Sequence, residues 1–266
     1  MFGIQSQDRK VFNNNFLRTV FFEVKYSLTD QNLEKIEEKL KAKFGNEFFI
    51  QKGNIGFGFN LKIQNGKKTI EPDNDGEAIG LIIKSFDGKK TINLDENSIK
   101  ISIQGSAYTS FDNNINLIEK FITEINEFIS SVNRILIRKI NIVEFERTEE
   151  AEEAPLFLLN YLINNNLVGG FASFNPETTL NQMSSLSLLE NKYFLNLKYG
   201  LNSPNNILED NTKHIILDIE HGNSNNINRD NILEEFSILN KNIFDIFMWS
   251  ITDEFKSILD KQNVEL

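Results

Sequence analysis

The sequence contains no cysteine, only two histidines, four prolines and one tryptophan. Without cysteine the chain can form no disulfide framework, thiolate nucleophile, zinc ribbon or iron–sulfur cluster. Two histidines also leave few ways to build a zinc site or a histidine general base. Basic residues are outnumbered as well, because 28 Lys and Arg stand against 38 Asp and Glu, a formal net charge of −10. That charge repels phosphate backbones at long range, so nucleic-acid binding would require a local basic patch.

What the sequence does contain is typical of a folded globular protein. Of its 266 residues, 40% are hydrophobic and 25% are charged, enough for one large domain or two smaller ones. No apolar run is long enough to span a membrane, and Met1–Lys10 lacks the basic and apolar regions of a secretory signal. We therefore expect a cytoplasmic protein with no membrane partner.

The first half of the chain carries the patterns of a strand, a helix, an antiparallel meander and a long helix. Nearly continuous apolar residues over 16–28 predict a buried strand, and apolar spacing of three and four then predicts a helix that ends at Gly45. Alternation over 48–104 predicts a meander, and a further apolar stripe predicts a helix over Asn113–Val132. The meander is expected to reverse at Asn65-Gly66, Asp87-Gly88 and Asp95-Glu96-Asn97.

The second half repeats this order. Its predicted elements are a strand at Ile135–Phe145, a short helix from Pro155, strands at Leu180–Leu189, Tyr193–Tyr199 and His214–Glu220, and a helix from Asp230 to Leu259. These patterns predict an α+β fold with an antiparallel sheet and long helices packed on it. Two similar β-α-β(meander)-α halves, 1–133 and 134–266, would build it as one compact unit. We interpret the repeated order as an internal duplication.

Short motifs spread over nearly the whole chain resemble a known family. They are Phe22-Glu23-Val24-Lys25, Tyr108-Thr109-Ser110-Phe111, the strand from Arg134 through Arg138 to Asn141, Ile216-Leu217-Asp218-Ile219, and the tail Phe247 to Asp253. The chain is similar to a sporadically distributed, uncharacterised bacterial and archaeal protein family of similar length. That resemblance implies no known reaction, cofactor or catalytic residue. The family's patchy distribution resembles that of mobile or phage-defence loci.

Both histidines lie in one predicted strand that also contains two acids. Alternation places His214, Asp218 and Glu220 on one face and His221 on the other, so the two histidines do not share a site. Residues four apart on a strand lie about 13 Å apart, too far to bind one ion together without a bulge. We therefore predict no metal site and no cofactor, and interpret the strand as half-solvated with its polar face outward.

Two further motifs are reminiscent of catalytic or phosphate sites without completing them. Glu23-Val24-Lys25 has the end of a metal-dependent nuclease motif, but no acidic partner lies just upstream, so cross-strand pairing is the favoured interpretation. The glycines of 53–58 lack the order of a dinucleotide-binding loop. No catalytic residue is predicted, although an enzyme that uses Glu23 or Asp218 as its acid or base remains a third hypothesis.

Basic residues suggest an alternative function in nucleic-acid binding or processing. Two predicted hairpin turns carry Lys67, Lys68, Lys89 and Lys90, which would form a local basic patch if they were adjacent. Arg138 adds a cation from the central strand. Lysines also protect exposed hairpin edges from aggregation, and an arginine within an apolar strand is more often half of a structural ion pair.

The C-terminal helix has the largest surplus of apolar residues. Five of its large side chains are candidates for partner binding: Phe244, Phe247, Met248, Trp249 and Phe255. Such residues are favoured in interface cores, but packing within the chain would also cover them. The leading hypothesis is a non-enzymatic binding or scaffold protein that acts through a protein partner or as a homo-oligomer.

Overall fold

The computed structural model of the chain describes residues 1–8, 12, 16–28, 33–55, 59–64, 67–72, 78–146, 163–164, 167, 181–202 and 212–260. These residues form eleven strands and four α-helices. The strands are β1 (Leu17–Leu28), β2 (Phe48–Ile55), β3 (Phe59–Gln64), β4 (Lys67–Pro72), β5 (Ala78–Ser85), β6 (Lys90–Leu94), β7 (Ser98–Gln104), β8 (Ile129–Glu146), β9 (Asn181–Glu190), β10 (Tyr193–Asn202) and β11 (Thr212–Asn223). The helices are α1 (Leu33–Phe44), α2 (Phe111–Ile125), α3 (Ile232–Ser250) and α4 (Asp253–Asp260).

Nine strands form one antiparallel sheet in the order β2-β5-β6-β7-β1-β8-β11-β10-β9, and β3 pairs with β4 as a separate hairpin. The α+β class and the helices packed on an antiparallel sheet are therefore confirmed. The duplication of two halves is not confirmed. The short helix predicted from Pro155, which the repeat requires, lies outside the described residues.

The chain divides into two compact units, each assembled from separate segments. Unit 1 comprises 1–17, 139–221 and 241–266, and unit 2 comprises 18–138 and 222–240. This division differs from the predicted halves, 1–133 and 134–266, because each unit also includes a segment from the other half of the chain.

An aromatic cluster fills the core of unit 2 where α1 and α2 meet. Phe121 of α2 stacks on Phe44 of α1 with ring centroids 4.4 Å apart, and it meets Phe48 edge-on at 5.6 Å. Helix α1 ends as predicted at Gly45, whose N–H donates to the Lys41 carbonyl. A Cβ at Gly45 would lie 2.6 Å from that carbonyl oxygen, so a larger residue would displace the turn.

The predicted reversals of the meander are confirmed where the structure describes them. Gly88 turns β5 into β6 with a φ of +69°, a conformation that glycine adopts without strain. Asp95 turns β6 into β7 because its Oδ1 accepts from the N–H groups of Asn97 and Ser98, each at 2.7 Å. Asn65-Gly66 lies outside the described residues, but the strands on either side pair as a hairpin.

The predicted helix Asn113–Val132 is wrong at both ends. Helix α2 starts at Phe111, because the Oγ of Ser110 accepts from the Asn113 N–H at 3.1 Å and caps it. The helix stops at Ile125, and the residues through Val132 continue into a 3₁₀ turn and β8. Val132 bridges to Ile227, a pairing that overrides the helical spacing of its apolar neighbours.

The single helix predicted from Asp230 to Leu259 is two helices. Asp230 lies in a 3₁₀ turn before α3, and the Oδ1 of Asn228 accepts from its N–H. Between α3 and α4, Ile251 leaves the helical path and bridges to Ile163. Thr252 then restarts the helix, since its Oγ1 accepts from the N–H of Phe255. Among the described helices, none has the length and apolarity needed to cross a membrane.

Candidate functional site

A cavity of about 560 Å³ opens in unit 1 beside the break between α3 and α4. Its lining residues are Gly3, Ile4, Gln5, Gln7, Asn164, Met248, Trp249, Ile251, Thr252, Asp253 and Lys256. The volume lies within the range of roughly 300–1,000 Å³ that is usual for ligand pockets. Two of the five predicted partner-binding residues, Met248 and Trp249, are therefore brought together at a concave surface.

The break between the helices shapes this cavity. Asn164 holds the end of α3, because its Nδ2 donates to the Trp249 carbonyl at 3.0 Å and its backbone N–H donates to the Ser250 carbonyl at 2.9 Å. These bonds satisfy carbonyls that lose their helical partners at the break. Met248 and Trp249 are both partly buried at this point, so each still presents surface to a ligand.

Residues Met1–Asp8, here termed the N-terminal strap, form one wall of the cavity. The Gln7 N–H donates to Asp245 Oδ1 on α3 at 2.9 Å, and Lys241 pairs with Oδ2 of the same carboxylate at 2.9 Å. Lys241 also bonds Ser6, and the Phe2 N–H bonds Glu190. The strap is thus tied to α3 and to the end of β9 by polar contacts.

The lining combines apolar surface with amides and one ion pair. Trp249, Met248 and Ile251 supply the apolar part, while Gln5 and Gln7 are exposed amides. Among the described residues that line the cavity, Asp253 is the one acid. Its Oδ1 accepts from Lys256 Nζ at 2.8 Å, which lowers the pKa of Asp253. This chemistry suits hydrogen bonding and apolar contact, because the cavity's carboxylate is held ionised in an ion pair.

His221 is a buried, neutral imidazole. Its Nδ1 lies 2.7 Å from the Phe194 carbonyl, which can only accept, so Nδ1 carries the proton. Its Nε2 then accepts from Asn242 Nδ2 at 3.2 Å. Burial lowers the pKa of His221 from 6.5 to about 4. Both ring nitrogens are engaged in the fold, which gives His221 a structural role.

The outward polar face predicted for β11 is wrong for two of its polar residues, His214 and Asp218, because the fold buries both. Glu220 accepts from Asn196 Nδ2 at 2.9 Å. Asn196 in turn accepts from Ser187, so a polar row crosses three neighbouring strands. The described part of the chain contains no group of three or more His, Asp or Glu residues placed to bind a metal ion.

Glu23 forms ion pairs with residues of the two neighbouring strands. This is the cross-strand pairing that we predicted in preference to a nuclease motif. Its carboxylate lies 3.6 Å from Lys100 Nζ and 3.8 Å from Arg134 Nη2. Lys100 is its register partner on β7, and β8, which carries Arg134, is the other neighbour of β1. Arg134, an arginine within an apolar strand, is thus half of a structural ion pair.

The basic patch predicted from Lys67, Lys68, Lys89 and Lys90 stays a prediction. Lys89 and Lys90 flank a turn with Asp87, whose pKa is lowered mainly by a hydrogen bond from Ser85. The guanidinium of Arg138 lies over the ring of Phe21 at 5.9 Å. The side chains of Lys67 and Lys68, the first two residues of β4, lie outside the described part of the chain.

The remaining partner-binding candidates lie along the same two helices. Phe244 stacks with Phe12 at 6.5 Å, and Phe255 is buried against Phe16 at 5.5 Å. Phe247 is partly buried. Sequence reasoning missed the strap and Asn164, because neither shows apolar periodicity and both join the site through contacts that are distant in sequence.

No protein-family model matches the chain, and no curated protein matches it. The family resemblance of the short motifs therefore stays a prediction.

Proposed function

We propose that the chain is a non-enzymatic binding protein and that the cavity of unit 1 receives a short segment of a partner protein. One observation carries the proposal: Met248 and Trp249 line a cavity of about 560 Å³ and both stay partly exposed. Tryptophan and methionine are enriched in the cores of protein interfaces, and tryptophan is among the commonest residues to dominate binding energy.

The polar part of the lining favours a peptide as the occupant. A peptide backbone presents N–H and C=O groups that need partners when they leave water. Gln5 and Gln7 carry amides that both donate and accept, which matches those groups. The apolar wall of Met248, Trp249 and Ile251 would take an aliphatic or aromatic side chain.

The test uses the fact that Trp249 is the chain's single tryptophan and lines the cavity. A tryptophan-free random peptide library is selected on the full chain, and enriched peptides are titrated while the emission of Trp249 is recorded. We expect a blue shift, because the peptide removes water from the indole. In Trp249→Ala, binding measured by calorimetry should fall about tenfold or more.

The matched control is Ile79→Ser, which changes an exposed apolar residue of unit 2. It should bind the peptides as the wild type does. The proposal fails if no peptide is enriched, if saturating peptide leaves the Trp249 emission unchanged, or if Trp249→Ala binds as tightly as the control.

A further inference from the structure

Within the described part of the chain, β9 is an edge strand that lacks the usual protection against pairing. It pairs with β10 over its whole length, from Asn181 opposite Asn202 to Glu190 opposite Tyr193, without a bulge. No described strand pairs with its other side. Its sequence contains no lysine, arginine or proline, and Glu190 at one end is its only charged residue. A long, unbulged, nearly uncharged edge is a template for another strand.

The hairpin fixes which backbone groups of β9 point outward. Asn191 and Lys192 form the two-residue turn to β10, and Asn191 has a φ of +55°, as such turns require. In this turn type, the flanking pair Glu190 and Tyr193 exchanges backbone hydrogen bonds, and the pattern alternates along the ladder. The outward backbone groups therefore belong to Met183, Ser185, Ser187 and Leu189. Their side chains are also exposed.

This edge is complementary to itself in one antiparallel register. Met183, 45% exposed, and Leu189, 75% exposed, lie three residues on either side of Leu186. Pairing two copies about Leu186 places each Met183 opposite the other copy's Leu189. All the outward groups then meet in hydrogen-bonded pairs, because Ser185 faces Ser187.

Charge also favours that antiparallel register. With Leu186 at the centre, each Glu190 lies opposite Gln182 of the other copy, and the two carboxylates are at opposite ends of the pair. A parallel arrangement in register would place like charges side by side, which is destabilising. Antiparallel self-pairing is also the closed, two-fold arrangement that homodimers most commonly use.

We propose that two copies of this chain associate through β9, in an antiparallel pair centred on Leu186, and so join their sheets. This surface contains none of the residues that line the cavity, so the dimer can form or fail independently of peptide binding. The occupant of the edge is a second copy because the apolar, hydrogen-bonding and charged positions all match their own two-fold images.

The first test is the mass of the full chain in solution, measured by light scattering after size exclusion over a range of concentrations. The wild type should be a dimer at high concentration. Leu189→Lys should shift the equilibrium at least tenfold toward monomer, because it puts a cation opposite Met183. Ile79→Lys, a matched change at an exposed apolar residue of β5, should leave the dimer intact.

The second test measures the register directly. Because the chain contains no cysteine, a single introduced cysteine can form a disulfide only with the same residue of another copy. In the proposed register, Leu186→Cys meets its own copy with Cα atoms about 4.5 Å apart, close enough for a disulfide. In the same register, Leu188→Cys lies opposite Ser184 of the other copy. The two introduced cysteines are then four residues apart along the strand, about 13 Å. Mild oxidation should therefore cross-link Leu186→Cys rapidly and Leu188→Cys poorly.

Three results would overturn the proposal: a wild type that stays monomeric, a Leu189→Lys variant that dimerises as well as Ile79→Lys, or equal cross-linking of the two cysteine variants. Thermal unfolding of each variant separates a lost interface from a lost fold. If only a different protein's strand occupies the edge, the wild type alone will be monomeric, and self-association is refuted.

Discussion

The two units of this chain use their interiors differently. Unit 2 fills its core with stacked rings, and its buried acid Glu23 faces two cations, Lys100 and Arg134. Unit 1 leaves a cavity at a break between helices, bounded by partly buried Met248 and Trp249. Close packing stabilises a fold, whereas an unfilled concavity with large side chains is typical of recognition. Binding at the unit 1 cavity is our proposal, and the stacked core of unit 2 gives it a packed interior to be compared with.

The two outer strands of the sheet show the same difference. In unit 2, β2 carries Lys52, which pairs with Glu34 at 3.3 Å and with Glu37 at 3.6 Å. Charge of this kind discourages a further strand from pairing. In unit 1, β9 has no lysine, and its exposed side is serine, methionine and leucine. One edge is thus protected and the other is suited to association.

The largest difference between the units should appear when one ring is removed from each. Phe121→Ala deletes a fully buried ring that contacts both Phe44 and Phe48, and it should cost about 3–5 kcal/mol in the free energy of unfolding. Trp249→Ala removes a partly exposed ring beside an existing cavity, so its cost should be clearly smaller. Urea denaturation measures both, and equal losses would contradict the comparison.

A second test addresses His221 of unit 1, whose pKa is strongly lowered by burial. His221 has a pKa of about 4 in the folded state against 6.5 for a free imidazole, so the unfolded chain binds a proton that the folded chain excludes. Stability should be full above pH 6.5 and should fall as the pH drops toward 4, by about 3 kcal/mol in total.

The matched variant for this test is His221→Gln, which keeps a donor and an acceptor but does not titrate. The difference in unfolding free energy between wild type and variant should change with pH over that window and be constant above it. A difference that is flat from pH 7 to pH 4 would show that His221 is not held neutral by the fold.

The sequence predicted those elements whose signals are local. The turn at Asp87-Gly88 and the reversal at Asp95 follow from a few adjacent residues, and both are confirmed. The predicted helix ends were wrong where backbone pairing with a residue far along the chain determines the local structure. Val132 continues the apolar spacing of α2 but pairs with Ile227, and Ile251 interrupts a helical pattern because it pairs with Ile163.

The candidate site was predictable only in part for the same reason. Met248 and Trp249 stand out by residue type in an apolar helix, and they do line the cavity. The strap does not stand out, because its polar residues show no periodicity. Gln7 reaches the site through a hydrogen bond to Asp245, far along the chain, which no local pattern indicates.

The smallest change in the free energy of unfolding is expected when one ion pair is removed from each unit. Glu23→Gln should cost about 1–2 kcal/mol, because the acid's side chain is only 9% exposed and its loss leaves Lys100 and Arg134 facing a neutral amide. Asp253→Asn, at a side chain that is 91% exposed, should leave stability unchanged within error, since solvent screens its pair with Lys256. Thermal and urea unfolding measure the stability of both variants relative to the wild type. A Glu23→Gln variant as stable as the wild type would remove the structural role of this carboxylate and would reopen the hypothesis that Glu23 acts as an acid or base.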